Sequence, residues 1–112
     1  RHGLAARRRL MTTAITDSAS LQTAVGAWCT DSTTAESTYG HISTWDTSGV
    51  TDMSSLFNSY CSTVSTFNEN VSSWNVSRVV YMHYMFVEAS SFNTDVSAWD
   101  VSRLTTKSGQ LI

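Results

Sequence analysis

The sequence has no proline, only five glycines and two cysteines, and charged residues make up just 14% of it. Average soluble proteins carry about 25% charged residues, so this chain fills its polar positions with something else. Without proline and with so little glycine, it does not have the composition of a flexible linker. No apolar run approaches the roughly 18 residues that a membrane-spanning helix needs, and no signal-peptide pattern is visible. Two cysteines without a Cys-x-x-Cys spacing exclude a dithiol redox motif and a thiolate-rich zinc site. A Gly-x-Ser-x-Gly elbow and a calcium-loop signature are likewise missing.

What fills the gap is hydroxyl: serine and threonine together account for 35 of the 112 residues, interleaved with Val, Ile, Trp and Phe. The net charge of -2 is unevenly spread. Residues 1–16 hold four arginines and no acid, and the remaining 96 residues hold three cations and nine acids, a balance of -6. An acidic body excludes a nucleic-acid-binding domain. Residues 1–16 are expected to be a flexible basic arm or a processing remnant, since Arg7-Arg8-Arg9 resembles a basic cleavage site and Arg1 is not an initiator. The chain then reads as an excised piece of a longer one.

A unit comes round three times. Ile42-Ser-Thr-Trp45-Asp-Thr-Ser48-Gly-Val50-Thr-Asp-Met53-Ser-Ser-Leu-Phe57 returns as Val71-Ser-Ser-Trp74-Asn-Val-Ser77-Arg-Val79-Val-Tyr-Met82-His-Tyr-Met-Phe86, then in part as Val96-Ser-Ala-Trp99-Asp-Val-Ser102-Arg-Leu104. Units one and two are 29 residues apart and units two and three 25, which places a four-residue insertion near Asn58 to Thr66, around Cys61. Periods in the twenties imply stacked units whose recurring large side chains fill a shared interior. The expected repeat core is Trp45, Val50, Met53, Phe57, Phe67, Trp74, Val79, Met82, Phe86, Phe92, Trp99 and Leu104. Short strands are expected at the Val- and Thr-rich positions and one helical turn at each Met-x-x-x-Phe. Phe67-Asn68 and Phe92-Asn93 suit corners.

Ahead of the repeats, Leu21, Ala24, Val25 and Trp28 sit at offsets 0, 3, 4 and 7, the stripe of an amphipathic helix that Asp17 or Ser18 can cap. A second, polar helix is expected after Asp31, with Gly40 as its exit. Residues 17–40 thus read as a helical cap on the repeat region, residues 41–112. Cys29 in the cap and Cys61 in the insertion are candidates for a disulfide in an oxidising compartment, with two buried thiols as the alternative.

The Phe-Asn-x-x-Val-x-x-Trp-Asn/Asp-x-Ser-x-Val/Leu unit, in residues 67–79 and 92–104, resembles that of the BspA-like leucine-rich-repeat surface proteins, and the likeness covers about residues 18–107. The resemblance implies an α/β repeat fold: a short right-handed leucine-rich-repeat-like solenoid of small parallel strands and single helical turns, with an N-terminal helical cap. It also implies a secreted or cell-surface structural protein and brings no catalytic residue. Unit three lacks its second half, so an open end that recruits a neighbour is expected.

Function then rests on surface residues. Tyr60, Tyr81 and Tyr84 are the interaction candidates, the last two because they replace Asp52 and Ser55 of the first unit. Asn70-Val-Ser72 and Asn75-Val-Ser77 are acceptor sequons, so Asn70 and Asn75 are glycosylation candidates, Asn70 the better one. His41 and His83 lack a third ligand, and Asp46 and Asp100 suit turn capping better than calcium. No catalytic, cofactor or metal site is expected. The sequence reading is a non-enzymatic extracellular or cell-surface module that binds or self-assembles through solenoid faces and open ends. Its expected partners are proteins, copies of itself among them. A glycan-binding adhesin and an accessory subunit of a larger assembly are the alternatives.

Overall fold

The structure, a computed structural model, describes residues 12–105. The basic arm with Arg1, Arg7, Arg8 and Arg9, and the incomplete end of unit three from Thr106 to Ile112, lie outside the described residues.

Helix α1 (Ser18–Thr30) forms because its apolar stripe has a surface to cover and its first turn is fully capped. The Asp17 carboxylate accepts the Ser20 N–H at 2.8 Å, while Ser20 Oγ accepts the Asp17 N–H at 3.0 Å. This reciprocal box satisfies donors that the helix start otherwise leaves orphaned. Leu21, Ala24, Val25 and Trp28 are all buried. Asp31 then closes one helix and opens the next. Its N–H donates to the Ala27 carbonyl at 2.9 Å, and its carboxylate accepts from the Thr34 N–H and hydroxyl, starting α2 (Ser32–Tyr39). Helix α2 buries only Ala35 and exits through Gly40 at φ 84°, a conformation glycine adopts without a steric penalty. A third helix, α3 (Leu56–Tyr60), runs from the end of the first repeat unit into its insertion, and Cys61 follows it.

The expected parallel strands do not form. Among the described residues there is no strand; one isolated parallel bridge, Asp52 to Tyr81, forms between units, with scattered backbone hydrogen bonds beside it that do not build a sheet. The chain is therefore not a leucine-rich-repeat-like solenoid, and its regular elements are α-helices and two short 3-10 turns, Ile42–Thr44 and Val64–Thr66. The physical reason lies in the serines. A side-chain acceptor two residues ahead of a Ser captures its backbone N–H at Asp46–Ser48 (3.0 Å), Asn70–Ser72 (3.1 Å), Asn75–Ser77 (2.9 Å), Asp95–Ser97 (2.9 Å) and Asp100–Ser102 (3.0 Å). Each capture bends the backbone into a turn and competes with any sheet ladder. Next to these turns, i to i+3 bonds such as Val50 N–H to Thr47 and Val79 N–H to Val76 leave too few extended residues for a ladder.

The units nonetheless stack in register. Each indole reaches back one layer: Trp45 Nε1–H donates to the Gly40 carbonyl (2.9 Å), Trp74 to Ile42 (2.8 Å) and Trp99 to Val71 (3.1 Å). Trp45 and Trp74 lie nearly parallel at 6.0 Å, and Phe57 packs between Phe67 (4.3 Å) and Phe86 (5.3 Å). All four tryptophans are at most 8% exposed, so they fill the interior. Phe86, Phe92 and Leu104 are only partly buried against it. Asn68 Oδ1 accepts the Asn93 N–H at 2.7 Å, tying the corner of one unit to the next. Thr47, fully buried, donates its hydroxyl to the Asn75 carbonyl at 2.9 Å, so its polarity is satisfied.

Gly49 has a packing reason rather than a torsional one. A Cβ there would stand 2.6 Å from the Thr16 carbonyl oxygen, where the chain enters α1. The same repeat position is Arg78 in unit two and Arg103 in unit three, both exposed. We expect Gly49→Ala to cost about 1–3 kcal/mol through backbone displacement, and Arg78→Ala to stay within about 0.5 kcal/mol. Urea titration of the two variants checks this, and equal midpoints would refute it.

The turn and cap carboxylates also set an acid limit. Hydrogen bonds from Ser48 to Asp46, Ser97 to Asp95 and Ser102 to Asp100, each from both hydroxyl and backbone, hold these groups below the ordinary value of 3.8. Ser20 and Thr34 do the same for Asp17 and Asp31. A depressed folded value means a contribution that is complete above the unfolded value and disappears as pH falls through the folded one. Melting temperature should hold from about pH 6 to about pH 4 and then decline. Asp46→Asn with Asp100→Asn, which keeps the acceptor as Asn75 does, should flatten the decline. A double variant as acid-sensitive as the parent would count against this.

Candidate functional site

The second unit builds the one aromatic cluster on the described surface. Around Tyr81 the chain runs beside unit one: Val80 N–H donates to Thr51 (2.8 Å), Met53 N–H to Tyr81 (2.8 Å) and Ser55 N–H to His83 (2.9 Å). Met82 and Met85 point inward and are fully buried, which turns Tyr81 and Tyr84 outward, 43% and 48% exposed. The half-buried His83 ring stands edge-on to both, with centroids 6.3 Å from Tyr81 and 5.6 Å from Tyr84. Val87, also exposed, is bonded back to the Tyr84 carbonyl and extends the apolar area.

Tyr84 lies at φ 60°, in the left-handed region that large side chains rarely occupy. Ser55, its counterpart 29 residues earlier, has φ 54°. The conformation therefore belongs to the repeat, and the tyrosine is an addition to it. Holding a bulky residue there costs of the order of 1 kcal/mol, which the turn itself does not require.

Beside the rings, Ser54 Oγ is 3.4 Å from His83 Nδ1. The Asp52 carboxylate accepts the Ser54 backbone N–H at 2.8 Å and forms no bond to His83. The pair thus lacks the carboxylate that orients the imidazole in a hydrolytic triad. Tyr60, 41% exposed at the end of α3, makes no ring contact with this cluster and sits next to the disulfide. His83 escaped the sequence reading as a member of the cluster. The alternation Tyr81-Met-His83-Tyr84-Met, with both Met residues inward, is the signal that identifies it.

Other surfaces are less organised. A cleft of ≈ 770 Å³ between residues 12–15 and α2 has Tyr39 and Trp45 in its wall and Glu36, His41 and Asp46 among its lining. No buried side-chain nitrogen or oxygen among the described residues lacks a partner, so none is aimed into it unsatisfied. Among the described residues no group of three or more His, Cys, Asp or Glu side chains is placed to hold a metal ion. None of the described helices is long and apolar enough to cross a membrane. A disulfide joins Cys29, near the end of α1, to Cys61.

Stacked turns behind a helical layer, closed by one disulfide and showing one aromatic cluster, define a small repeat protein with no sheet among its described residues. The family model described as "Mycoplasma protein of unknown function, DUF285" matches residues 31–111, and the chain belongs to that family. Neither the curated proteins nor the solved structures provide a match to the chain. The BspA-like leucine-rich-repeat resemblance is thereby corrected: the family is DUF285, and the lack of strands among the described residues excludes the leucine-rich-repeat reading. Binding or self-assembly through solenoid faces and open ends falls with it, because there is no solenoid to supply those faces.

Proposed function

We propose that the chain is an exported, non-enzymatic binding module that engages a protein partner through Tyr81, His83 and Tyr84. The observation that carries this is a discrete three-ring cluster, half exposed, mounted on a backbone conformation that a smaller residue would fit better. Exposed tyrosines with an adjoining apolar residue are typical anchors of protein interfaces, and violations of local preference collect at functional positions. The Cys29–Cys61 bond supports an oxidising compartment. The acidic body opposes nucleic acid as the partner. A glycan is the second reading, favoured by the Ser54 hydroxyl beside the rings.

Immobilised protein is exposed to surface extract from the source cells, before and after periodate oxidation of glycans. Two variants run in parallel: Tyr81→Ala/Tyr84→Ala, and Tyr84→Asn, which suits the left-handed position and keeps the fold. The parent should retain a partner that both variants lose and that survives periodate. Loss after periodate moves the assignment to a glycan. Equal retention by parent and variants removes the cluster from the binding site.

A further inference from the structure

We propose that Asn70 and Asn75 are both N-glycosylation sites, so that the second unit carries a pair of glycans. Six turns in the repeats are closed by an Asp or Asn oxygen that accepts the N–H of a serine two residues on, and in each of them the acceptor is Oδ1. Aspartate does this at 46, 52, 95 and 100; unit two alone has asparagine, and has it both times. The turn thus needs a carboxyl-type oxygen and has no use for an amide nitrogen. In unit one the position equivalent to Asn70 is His41, whose Nδ1 accepts the Ser43 N–H at 3.1 Å, so even the amide group is dispensable. Neither Asn70 nor Asn75 donates a hydrogen bond through Nδ2 to any of the described residues.

The surroundings fit the modification. Both asparagines are exposed, while the residue following each, Val71 and Val76, is buried at 0% and 1%. The inward valine directs the flanking Asn and Ser outward. Ser72 Oγ donates to Asn70 Oδ1 at 2.6 Å and Ser77 Oγ to Asn75 Oδ1 at 2.7 Å, so the hydroxyl of each Asn-x-Ser sequon already rests on the carboxamide it must accompany. Asn75, like Asn70, is therefore open to solvent. In the transfer, Nδ2 forms a bond to C1 of a lipid-pyrophosphate-linked oligosaccharide as the C1–O bond to pyrophosphate breaks. The pyrophosphate leaves with the bonding electrons, and Nδ2 gives up one proton. Nothing in this depends on the aromatic cluster.

The full chain is directed through the secretory pathway of a eukaryotic host and its intact mass is measured on secreted and microsomal fractions. Two glycan adducts are expected. Peptide-N-glycosidase should remove both and leave aspartate at 70 and 75. Asn70→Asp and Asn75→Asp, which preserve the turn as Asp95 and Asp100 do, should each delete one adduct, and together both. A chain that enters the pathway with neither asparagine modified overturns the proposal. Modification of one asparagine alone overturns the pair, and adducts that persist in the double variant place the modification elsewhere.

Discussion

Replacing Cys29 and Cys61 together by alanine is expected to lower the unfolding free energy by about 3–4 kcal/mol. The bond spans 32 residues, a loop that includes all of α2 and most of unit one. Cross-linking a loop of that size removes roughly this much conformational freedom from the unfolded chain in the entropy model. Single domains are stable by only about 5–15 kcal/mol in total, so the loss is a large share. Reduction of the parent should reproduce it, and urea titration with and without reductant measures it. The contact that frays first should be α1 against α3, where Gly26 approaches the Tyr60 carbonyl so closely that an added Cβ would lie 3.4 Å away. A loss below about 1 kcal/mol would mean that the unfolded chain already holds these segments together.

Phe57→Ala is the second large effect, expected to cost about 3–5 kcal/mol. Phe57 has no exposed surface, and its ring meets Phe67, Trp74 and Phe86 at 4.3, 6.0 and 5.3 Å. Removing it opens a cavity where unit one, its insertion and unit two meet. Aromatic neighbours with few rotamers can do little to close the gap. Phe92→Ala, at a half-buried position one layer further on, should cost distinctly less. Guanidinium unfolding of both variants gives the comparison, and a Phe92 effect as large as that of Phe57 would show that the core has no such centre.

The contrast between what was and was not legible follows from where each signal is written. Helix α1 was legible because burial periodicity and the cap are both local: the stripe Leu21, Ala24, Val25, Trp28 and the Asp17 side chain specify it within thirteen residues. Helix α2 was legible for the same reason at its ends, Asp31 and Gly40. The strands were misread because Val- and Thr-rich positions carry a β preference that is only a preference for packing. The competing signal was present in the same letters, as an acceptor two residues ahead of a serine, and it decides the outcome. Left-handed backbone at Ser55 and Tyr84 had no marker at all, since neither is glycine. Gly49 did have one, the change to Arg78 and Arg103, which needs the position of Thr16 to be understood. Tyr81 and Tyr84 stood out as departures from the pattern of unit one, and only the three-dimensional placement adds His83 to them.

The indole bonds give the molecule a direction. Trp45 takes its acceptor from the end of the helical layer, Trp74 from unit one and Trp99 from unit two, and none of them looks forward. Each layer thus offers a carbonyl to the indole of the layer that follows, while bonds such as Thr47 to the Asn75 carbonyl tie the earlier layer to the later one. An extra unit spliced in after residue 95 would find the same kind of carbonyl waiting, whereas deleting residues 17–40 would strand the Trp45 N–H and remove the starting surface. The indole bonds alone run in one sense, outward from α1, one tryptophan at a time.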